Sequence, residues 1–549
     1  MDPACSRHVE ENIDPARILA ARVCYRDKHA ATPWLEIKPK ARIVCRGDAD
    51  PDLLELRRDA PTLTRLGLML ILQLAASGVG WFIVCADITG AFLQGDQSLA
   101  KRKEPLFIRQ PREGLPGLLP GQLLLVVRGI FGLANSPRLF WRFLRDSLNK
   151  LGFVQSTLDK ALFIYYEDHK PILVLGAHVD DLVCAGCPKR ADRVLQKVRD
   201  TFDFGDWHDS RQESKLVYGG KEISVLEDGT VTLSQEAFIR ALTLTPVPKW
   251  RTLMKDASLT AAEITELKSG GGCLHWLIGQ TRPDLAAGTS LNMSGSPSVT
   301  NLLEINKLLK EAMKSQDWKL RFVPIDLQRA RIVAFSDASW ANAEDLKSQA
   351  GYLVFITGPE VFTTAGDRAN LVEWRSHRIR RRCRSTLAAE TMALDAATDA
   401  ALFTRELLAE IVIESYQPTQ SGRLDPAIFP TSMATDCRSH YDLVVKDGPL
   451  SSTQEKRLTL DIGALREAAE ELEPSGEQMK EVYKWVPTQV QRADHLTKPK
   501  PYHELCDILD LNFLTMMAEE SSSMTTSRGG DVVMQQLLCE PRMTGHAWL

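Results

Sequence analysis

The stretch ILVLGAHVDDLVCAG, Ile172–Gly186, decides the fold of the first half of the chain. Two apolar runs flank two adjacent carboxylates, Asp180 and Asp181, which is the pattern of a buried β-hairpin with an acidic tip. Like charges repel, and burial makes each charge more costly. The pattern therefore predicts that a cation binds at this turn, since a merely solvated Asp-Asp turn would lack such long apolar flanks.

A third carboxylate is expected to join the hairpin. WFIVCADITGAFL, residues 81–93, reads as a short apolar strand that ends near Asp87 and is followed by a turn at Gly90. Three carboxylates suit Mg²⁺, a hard cation that combines few acidic ligands with substrate phosphates. Two such ions about 3.5–4 Å apart can activate a hydroxyl and stabilise a leaving pyrophosphate. Asp87, Asp180 and Asp181 are therefore predicted to be catalytic ligands of two Mg²⁺ or Mn²⁺ ions.

Length and composition indicate a multidomain globular protein. The chain has 549 residues, of which 44% are hydrophobic and 25% charged, so we expect about two to four domains. The net charge of −4 means that a nucleic-acid partner must be bound by local basic patches. The eleven cysteines predict reduced thiols in an intracellular protein, in the cytoplasm or nucleus. The most apolar window, residues 66–86, contains Gln73 and Ser77 and predicts a core helix and a strand rather than a membrane span.

Six motifs in a fixed order carry a family resemblance. They are APTLTRLGLMLILQLAA, ADITGAFLQGD, LFIRQP, RGIFGLANSPRLFW, LGFVQSTLDKALF and HVDDLVCAG. Residues 34–225 thereby resemble the reverse transcriptase of copia-type LTR retrotransposons. The resemblance implies a right-hand polymerase with fingers, palm and thumb, which copies an RNA template from a DNA primer with dNTPs. It also implies a piece of a longer polyprotein, with an integrase of the same element as a candidate partner and no membrane association.

The family match assigns further residues to substrate binding. Phe92 matches the bulky side chain that excludes a ribose 2′-hydroxyl by steric clash, although an aromatic at this place is also typical of a core. The fingers match implies that three cations contact the nucleotide triphosphate or the template, unless they form a solvated basic face. Two loop residues match the position where template and nucleotide approach the backbone closely. These five positions are Lys40, Arg42, Arg46, Gly132 and Pro137.

Two departures from the family pattern concern the same site. His178 stands where the family usually has Tyr, and its ring can still stack or form hydrogen bonds. Ala134-Asn135 replaces the family's Lys-Gln and removes a cation near the nucleotide. These two departures bear on whether the chain is active as a polymerase, and they leave the predicted fold unchanged.

A second acidic constellation is predicted in the C-terminal half. RIVAFSDASWAN contains a strand that leads to Asp337, a long helix carries Glu390 in its first turns, a strand precedes Asp436, and Asp494 starts a short helix. Four converging carboxylates suit attack of water on a phosphodiester with two metal ions. These segments, with KSQAGYLVFITG, EWRSHRIRRRCRSTLAAET and YKWVPTQVQRADHLTKP, resemble the copia-type RNase H domain across residues 331–500. The resemblance implies degradation of the RNA strand of an RNA–DNA hybrid.

The densest basic run, RSHRIRRRCR, precedes the helix of Glu390. Arg380, Arg381 and Arg382 in it are predicted to contact phosphates of the hybrid, and a nuclear-localisation signal is the rival interpretation. Like charges packed this densely are not expected on a merely solvated face.

The predicted fold class is α/β (α+β), a palm, fingers and thumb followed by an RNase H-like mixed-sheet domain. The expected segments are an N-terminal extension (1–33), fingers and palm (34–225), thumb and connection (226–325), an RNase H-like domain (326–505) and a partly disordered tail (506–549). The predicted function is RNA-directed DNA polymerase with RNase H activity. A catalytically decayed or domesticated relic that only binds nucleic acid is the main alternative, and an RNase H with the polymerase half as scaffold is a third.

Overall fold

The computed structural model describes residues 3–27, 36–37, 39–95, 102–293, 295–343, 346–446, 455–473 and 479–516. Most of the predicted C-terminal tail therefore lies outside the described residues. The described part contains helices and four sheets with parallel and antiparallel pairs, which confirms the mixed α/β prediction.

The strands are numbered in chain order. They are β1 (Ile18–Asp27), β2 (Pro39–Cys45), β3 (Phe82–Ile88), β4 (Phe107–Arg109), β5 (Leu123–Leu125), β6 (Val154–Gln155), β7 (Leu162–Glu167), β8 (Lys170–His178), β9 (Asp181–Gly186), β10 (Phe204–Asp209), β11 (Leu216–Tyr218), β12 (Lys221–Val225), β13 (Val231–Ser234), β14 (Leu320–Phe322), β15 (Arg331–Ser339), β16 (Gln349–Thr357), β17 (Asp367–Arg378), β18 (Thr431–Thr435), β19 (Tyr483–Trp485) and β20 (Phe513–Leu514).

The helices are numbered in the same way. They are α1 (Pro3–Asn12), α2 (Arg65–Ser77), α3 (Ala91–Gln94), α4 (Ser136–Lys150), α5 (Arg190–Thr201), α6 (Glu236–Arg240), α7 (Lys249–Thr252), α8 (Ala261–Ile278), α9 (Ala286–Asn292), α10 (Val299–Lys314), α11 (Thr386–Val412), α12 (Arg438–Val445), α13 (Lys456–Leu472), α14 (Met479–Val482) and α15 (Tyr502–Asp510).

The N-terminal sheet has the strand order β2-β1-β4-β5. β1 pairs antiparallel with β2 over seven residue pairs, from Ala21 opposite Cys45 to Asp27 opposite Pro39. The boundary predicted at residue 33 therefore separates two paired strands, and β1 is part of this sheet rather than of an extension. Local sequence could not show this, because β-pairing is decided by the partner strand.

The palm sheet has the order β10-β3-β9-β8-β7-β6 and contains the predicted acidic hairpin, β8–β9. α2 lies against β8, β9 and β17, and eleven of its thirteen residues are buried. A helix that is apolar on all sides is expected to be a core element. Thr64 caps its N-terminus by accepting a hydrogen bond from the Gly67 amide.

Residues between the palm and the second mixed sheet form a small sheet and a helical group. The small sheet has the order β11-β12-β13-β14, and α6 to α10 lie between β13 and β14 in the chain. The segment boundary predicted at residue 225 passes through the β12–β13 hairpin, where Val225 is opposite Val231. The predicted thumb therefore shares its first sheet with residues assigned to the palm.

The C-terminal mixed sheet has the order β19-β18-β15-β16-β17-β20. β15 pairs antiparallel with β16 and parallel with β18, and the long helix α11 packs on β15 and β16. The chain does not leave this unit at residue 505, because that boundary cuts α15, and β20 adds to the edge of β17. Among the helices that the structure describes, none is long and apolar enough to cross a membrane.

Candidate active sites

The acids predicted to serve the polymerase reaction are Asp87, Asp180 and Asp181, and they are called the polymerase cluster. One carboxylate oxygen from each lies within 4.8 Å of the others. The register explains this, because Asp87 on β3 is directly opposite Asp181 on β9. Asp180 lies in the two-residue turn that joins β8 to β9, and Val179 beside it has φ +60°. A β-branched residue in this region costs about 1–3 kcal/mol, so the fold holds the acidic turn in a strained shape.

Burial and like charge act on the polymerase cluster together. Burial raises the pKa of the Asp181 carboxyl, and Asp180 and Asp87 raise it further, whereas His178 and Lys221 lower it. Burial lowers the pKa of the Lys221 ammonium to about 8, although Asp181 opposes this. The cluster therefore gains from any further positive charge.

A cavity of 320 Å³ opens beside the polymerase cluster. Its lining includes Asp87, Asp181, Lys40 and the two glycines that form the β11–β12 turn, Gly219 and Gly220. Both glycines have positive φ, +52° and +75°, as a two-residue hairpin turn requires. Lys40 thus lies at the edge of a space beside the carboxylates, and its contact with a nucleotide triphosphate or the template stays a prediction.

Three of the acids predicted to serve the nuclease reaction, Asp337, Glu390 and Asp436, are called the nuclease cluster. Their carboxylate oxygens also lie within 4.8 Å of one another. Asp337 is on β15, Asp436 directly follows the parallel neighbour β18, and Glu390 is near the start of α11. The strand pairing places Phe335 opposite Ala434, so the two strands carry their aspartates to the same edge of the sheet. α11 packs across β15 and brings the glutamate to it.

Burial is deeper in the nuclease cluster. Asp337 is 2% exposed and Glu390 is 5% exposed. Burial raises the pKa of Asp337 to about 6, against the effects of Lys498 and of the hydrogen bond from Thr497. Burial, with Asp337 and Asp436, raises the pKa of Glu390 well above its usual range. Oε2 of Glu390 is buried without a hydrogen-bond partner, which fits a site for a cation.

Asp494, predicted as the fourth acid, lies outside the set of three. Its two carboxylate oxygens form ion pairs with Lys498 and Lys500. Burial opposes ionisation, but the two lysine hydrogen bonds outweigh it and lower the pKa of Asp494. Lys498 also lies 3.8 Å from Asp337 Oδ2, so two ammonium groups occupy the side of the cluster where a fourth ligand was expected.

Comparison with known proteins identifies the N-terminal half. Residues 8–245 match the family of reverse transcriptases (RNA-dependent DNA polymerases). Over 476 residues, 84% of this chain, the sequence is 24% identical to the retrovirus-related Pol polyprotein from transposon RE1 of Arabidopsis thaliana. Residues 8–245 are a reverse transcriptase domain of the copia-type retrotransposon family. The match covers 29% of the RE1 polyprotein, so this chain spans about three tenths of that relative's length.

Two further proteins are similar to this chain. It is 25% identical over 290 residues to the transposon Ty5-1 protein of Saccharomyces cerevisiae, covering 50% of this chain and 90% of that protein. A solved foamy viral protease–reverse transcriptase in complex with RNA/DNA hybrid aligns at 12% identity and a TM-score of 0.44. That alignment covers 96% of this chain and 57% of the viral chain.

The aromatic and glycine positions of the reverse transcriptase domain have local structural roles. Phe92 is half-buried in α3 and packs edge-to-face on Phe131, with ring centroids 5.1 Å apart. Gly132 has φ +99°, and a Cβ there would lie 2.0 Å from the carbonyl oxygen of Cys45. Its need for glycine is thus explained by contact with β2, while Pro137 lies in the first turn of α4. Contact of these residues with nucleotide or template stays a prediction.

The predicted basic contacts differ in how accessible they are. Arg42 lies over the ring of Phe131, 5.1 Å from its centroid, and Arg46 pairs with Asp48 at 2.7 Å, with both side chains exposed. Lys40 and Arg42 are opposite Arg26 and Cys24 in the β1–β2 register and therefore share one face of the hairpin. Contact of this face with phosphates stays a prediction.

The arginine run of the C-terminal half borders a cavity of 1050 Å³. Arg382 lines it and is exposed, as is the neighbouring Arg380, whereas Arg381 is half-buried and forms an ion pair with Asp461. Trp340, which is 47% exposed, lines the same cavity and donates its indole N–H to the Cys383 carbonyl. Arg381 is thus the least available of the three to a phosphate.

Sequence reasoning missed the lysines beside both clusters. Lys498 lies four residues after Asp494, a spacing that brings side chains together in helical turns, so the sequence carried a signal for this pair. Lys221 follows the Gly-Gly turn, and its approach to Asp181 depends on the pairing of distant strands. No local pattern could have revealed the second contact.

Proposed function

We propose that this chain copies RNA into DNA at the polymerase cluster and degrades the RNA of the resulting hybrid at the nuclease cluster. The observation that carries the proposal is the presence of two separate sets of three converging carboxylates in one chain of this family. The carboxylates of each set are the ligands that Mg²⁺ or Mn²⁺ prefers. Two bound ions would supply charge stabilisation for the attacking and leaving oxygens of phosphoryl transfer.

The chain's own residues bind and orient the substrates around these clusters. Lys40 and Arg42, on one face of the β1–β2 hairpin, would bind phosphates of the dNTP or the template. Phe92 would lie beneath the sugar and exclude a 2′-hydroxyl by clash. Arg380 and Arg382 would bind phosphates of the hybrid, which orients the RNA strand toward the nuclease cluster.

Primer extension and hybrid cleavage by the same preparation test the proposal. The parent chain, with Mg²⁺ or Mn²⁺, should extend a DNA primer on an RNA template and cut RNA in a hybrid. The double variant Asp180→Asn, Asp181→Asn should lose extension and keep cleavage. Asp206→Asn is the matched control, because Asp206 lines the same cavity outside the set of three. A folded parent chain that performs neither reaction contradicts the proposal.

A chain that only binds nucleic acid is the second candidate function. The observation that favours it is the pairing of Asp494 with Lys498 and Lys500, which occupies both oxygens of the predicted fourth ligand. Binding of hybrid without extension or cleavage would support this candidate. Cleavage without extension would instead indicate a nuclease whose polymerase half serves as a scaffold.

A further inference from the structure

Glu410 lies at the contact between the reverse transcriptase half and the nuclease half, away from both acidic clusters. It is near the end of α11, the helix that carries Glu390 near its beginning. Twenty residues of α-helix span about 30 Å, so one rigid element connects the nuclease cluster with this contact. Glu390 belongs to the nuclease cluster of the proposed function, whereas Glu410 has no role in the proposed reactions.

Glu410 is 5% exposed, and residues in a turn of the palm donate hydrogen bonds to its carboxylate. It accepts hydrogen bonds from Ser156 Oγ at 2.5 Å and from the Thr157 amide and hydroxyl at 2.6 Å each. The Leu158 amide donates a longer bond of 3.4 Å. Tyr166 on β7 donates its hydroxyl to the Glu410 carbonyl at 2.8 Å. A buried carboxylate held by several donors is costly to disturb, because each donor loses its partner.

The same palm turn is fixed to the core of the reverse transcriptase half. Asp159, three residues after Ser156, accepts hydrogen bonds from the Thr64 amide at 3.0 Å and from the Thr64 hydroxyl at 2.7 Å. Thr64 caps α2. β7 follows the turn and pairs with β8, which leads directly into Asp180. Glu410 is therefore connected to the polymerase cluster through paired strands.

A second contact fixes the orientation of the two halves. Arg65 at the start of α2 forms an ion pair with Glu373 and donates to the Trp374 carbonyl at 2.5 Å, while its guanidinium lies 4.0 Å from the centre of the Trp374 ring. Asn370 on β17 donates to Gln73 of α2 at 2.7 Å. One hydrophobic core runs through α2, the palm sheet and the C-terminal mixed sheet. Separate polar contacts therefore join the two halves over a shared core, an arrangement that opposes rotation of one half against the other.

We propose that Glu410 is a positioning residue that fixes the nuclease half on the reverse transcriptase half, so that the chain unfolds as one unit and cuts hybrid RNA at one constant distance from the primer end. The constant distance rests on the proposed function, whereas the single unfolding unit does not. If the two halves were joined by a hinge, the distance between the two clusters would vary, and RNA would be cut over a broad range of distances from the primer end. If the nuclease half is fixed on the reverse transcriptase half and the polymerase cluster binds the primer end, the nuclease cluster lies at one position along the duplex.

Two measurements on the full chain test this proposal. Calorimetry of the parent should show one unfolding transition, and Glu410→Ala should show two. On a hybrid with a chain-terminated primer, the parent should cut within a narrow window, and Glu410→Ala should at least double its width. Cleavage of a long hybrid without a primer end should change less than about twofold, because Glu410 does not touch the nuclease cluster. A merely structural role would reduce both kinds of cleavage alike.

Glu414→Ala is the matched control. Glu414 pairs with His169 at the same contact, but the pair is exposed, and such pairs contribute little. If Glu410→Ala fails to fold, Tyr166→Phe removes only the hydroxyl that donates to the Glu410 and Ile411 carbonyls and should broaden the window to a lesser extent. The proposal would be overturned if the parent unfolds in two transitions or cuts RNA over a broad range of distances from the primer end. It would also be overturned if both variants keep the parent's narrow cleavage window and its single unfolding transition. If the parent cuts no RNA, the proposed function fails, and the calorimetric comparison still decides whether Glu410 joins the halves.

Discussion

The polymerase cluster and the nuclease cluster use the same three-carboxylate arrangement in different surroundings. Asp87, Asp180 and Asp181 are all half-buried beside an open cavity. Asp337 and Glu390 are buried, and Lys498 lies 3.8 Å from Asp337. In the first cluster Lys221 lowers the pKa of Asp181, whereas beside the second cluster Lys498 and Lys500 form ion pairs with Asp494. Protons and metal ions should therefore compete differently at the two clusters.

The largest expected effect separates the two clusters by mutation. Asp181→Asn should reduce primer extension on the order of a thousandfold and leave hybrid cleavage within about twofold, because it removes one charged ligand from a preorganised site. Asp337→Asn should do the reverse. Extension and cleavage rates measured on the same preparations check this. Loss of both activities in either variant would show that the clusters do not work independently.

The second prediction concerns the support of the polymerase half. Gly132→Ala places a methyl group 2.0 Å from the Cys45 carbonyl oxygen at φ +99°, which should separate the loop from β2. Extension should fall at least about tenfold, since an unrelieved clash of this kind costs several kcal/mol, and cleavage should remain.

Gly114→Ala serves as its control, because Gly114 also has positive φ, +73°, but has open space around it. The Gly114 variant should lose less activity than the Gly132 variant. Equal loss of extension would indicate that backbone strain, rather than contact with β2, explains the glycine at position 132.

The third prediction concerns pH. Burial raises the pKa of Asp337 to about 6, so a proton binds this carboxyl as the pH falls toward 6. Burial also raises the pKa of Glu390 well above its usual range. A protonated carboxyl binds metal poorly, so hybrid cleavage should rise with pH across this range. Burial also raises the pKa of Asp181, but that cluster is more exposed. The midpoint of the cleavage profile should lie at higher pH than that of extension, and the reverse order would contradict the comparison.

The smallest expected effect concerns the lysines of the nuclease cluster. Lys500→Met removes one of the two ammonium groups from Asp494, so the cluster should bind Mn²⁺ a few-fold more tightly, which corresponds to less than about 1 kcal/mol. Titration of Mn²⁺ by electron paramagnetic resonance, in a chain that also carries Asp180→Asn and Asp181→Asn, isolates this site. Lys484→Met, which removes an ammonium group paired with Glu481, is the control. Weaker binding in the Lys500 variant would show that the lysine supports the metal site instead of competing with it.

Much of this architecture was predictable from local pattern. Apolar strands around Asp180-Asp181 predicted a hairpin, and β8 and β9 form it with Asp87 opposite Asp181. Apolar runs leading to Asp337 and Asp436 predicted strands, and the two strands are parallel neighbours. These predictions depend on side-chain periodicity and on acids at strand ends, which are properties of short segments.

The sequence by itself determined which residues are acidic, which strands and helices carry them, and the order of the two halves. The tertiary structure alone decided that β1 pairs with β2, that Lys498 and Lys500 take the oxygens of Asp494, and that Glu410 is held by a turn some 250 residues earlier in the chain. The physical reason is that strand pairing, ion pairing and burial depend on partners distant in sequence. Local periodicity shows which face of a segment is apolar, but not which surface covers that face.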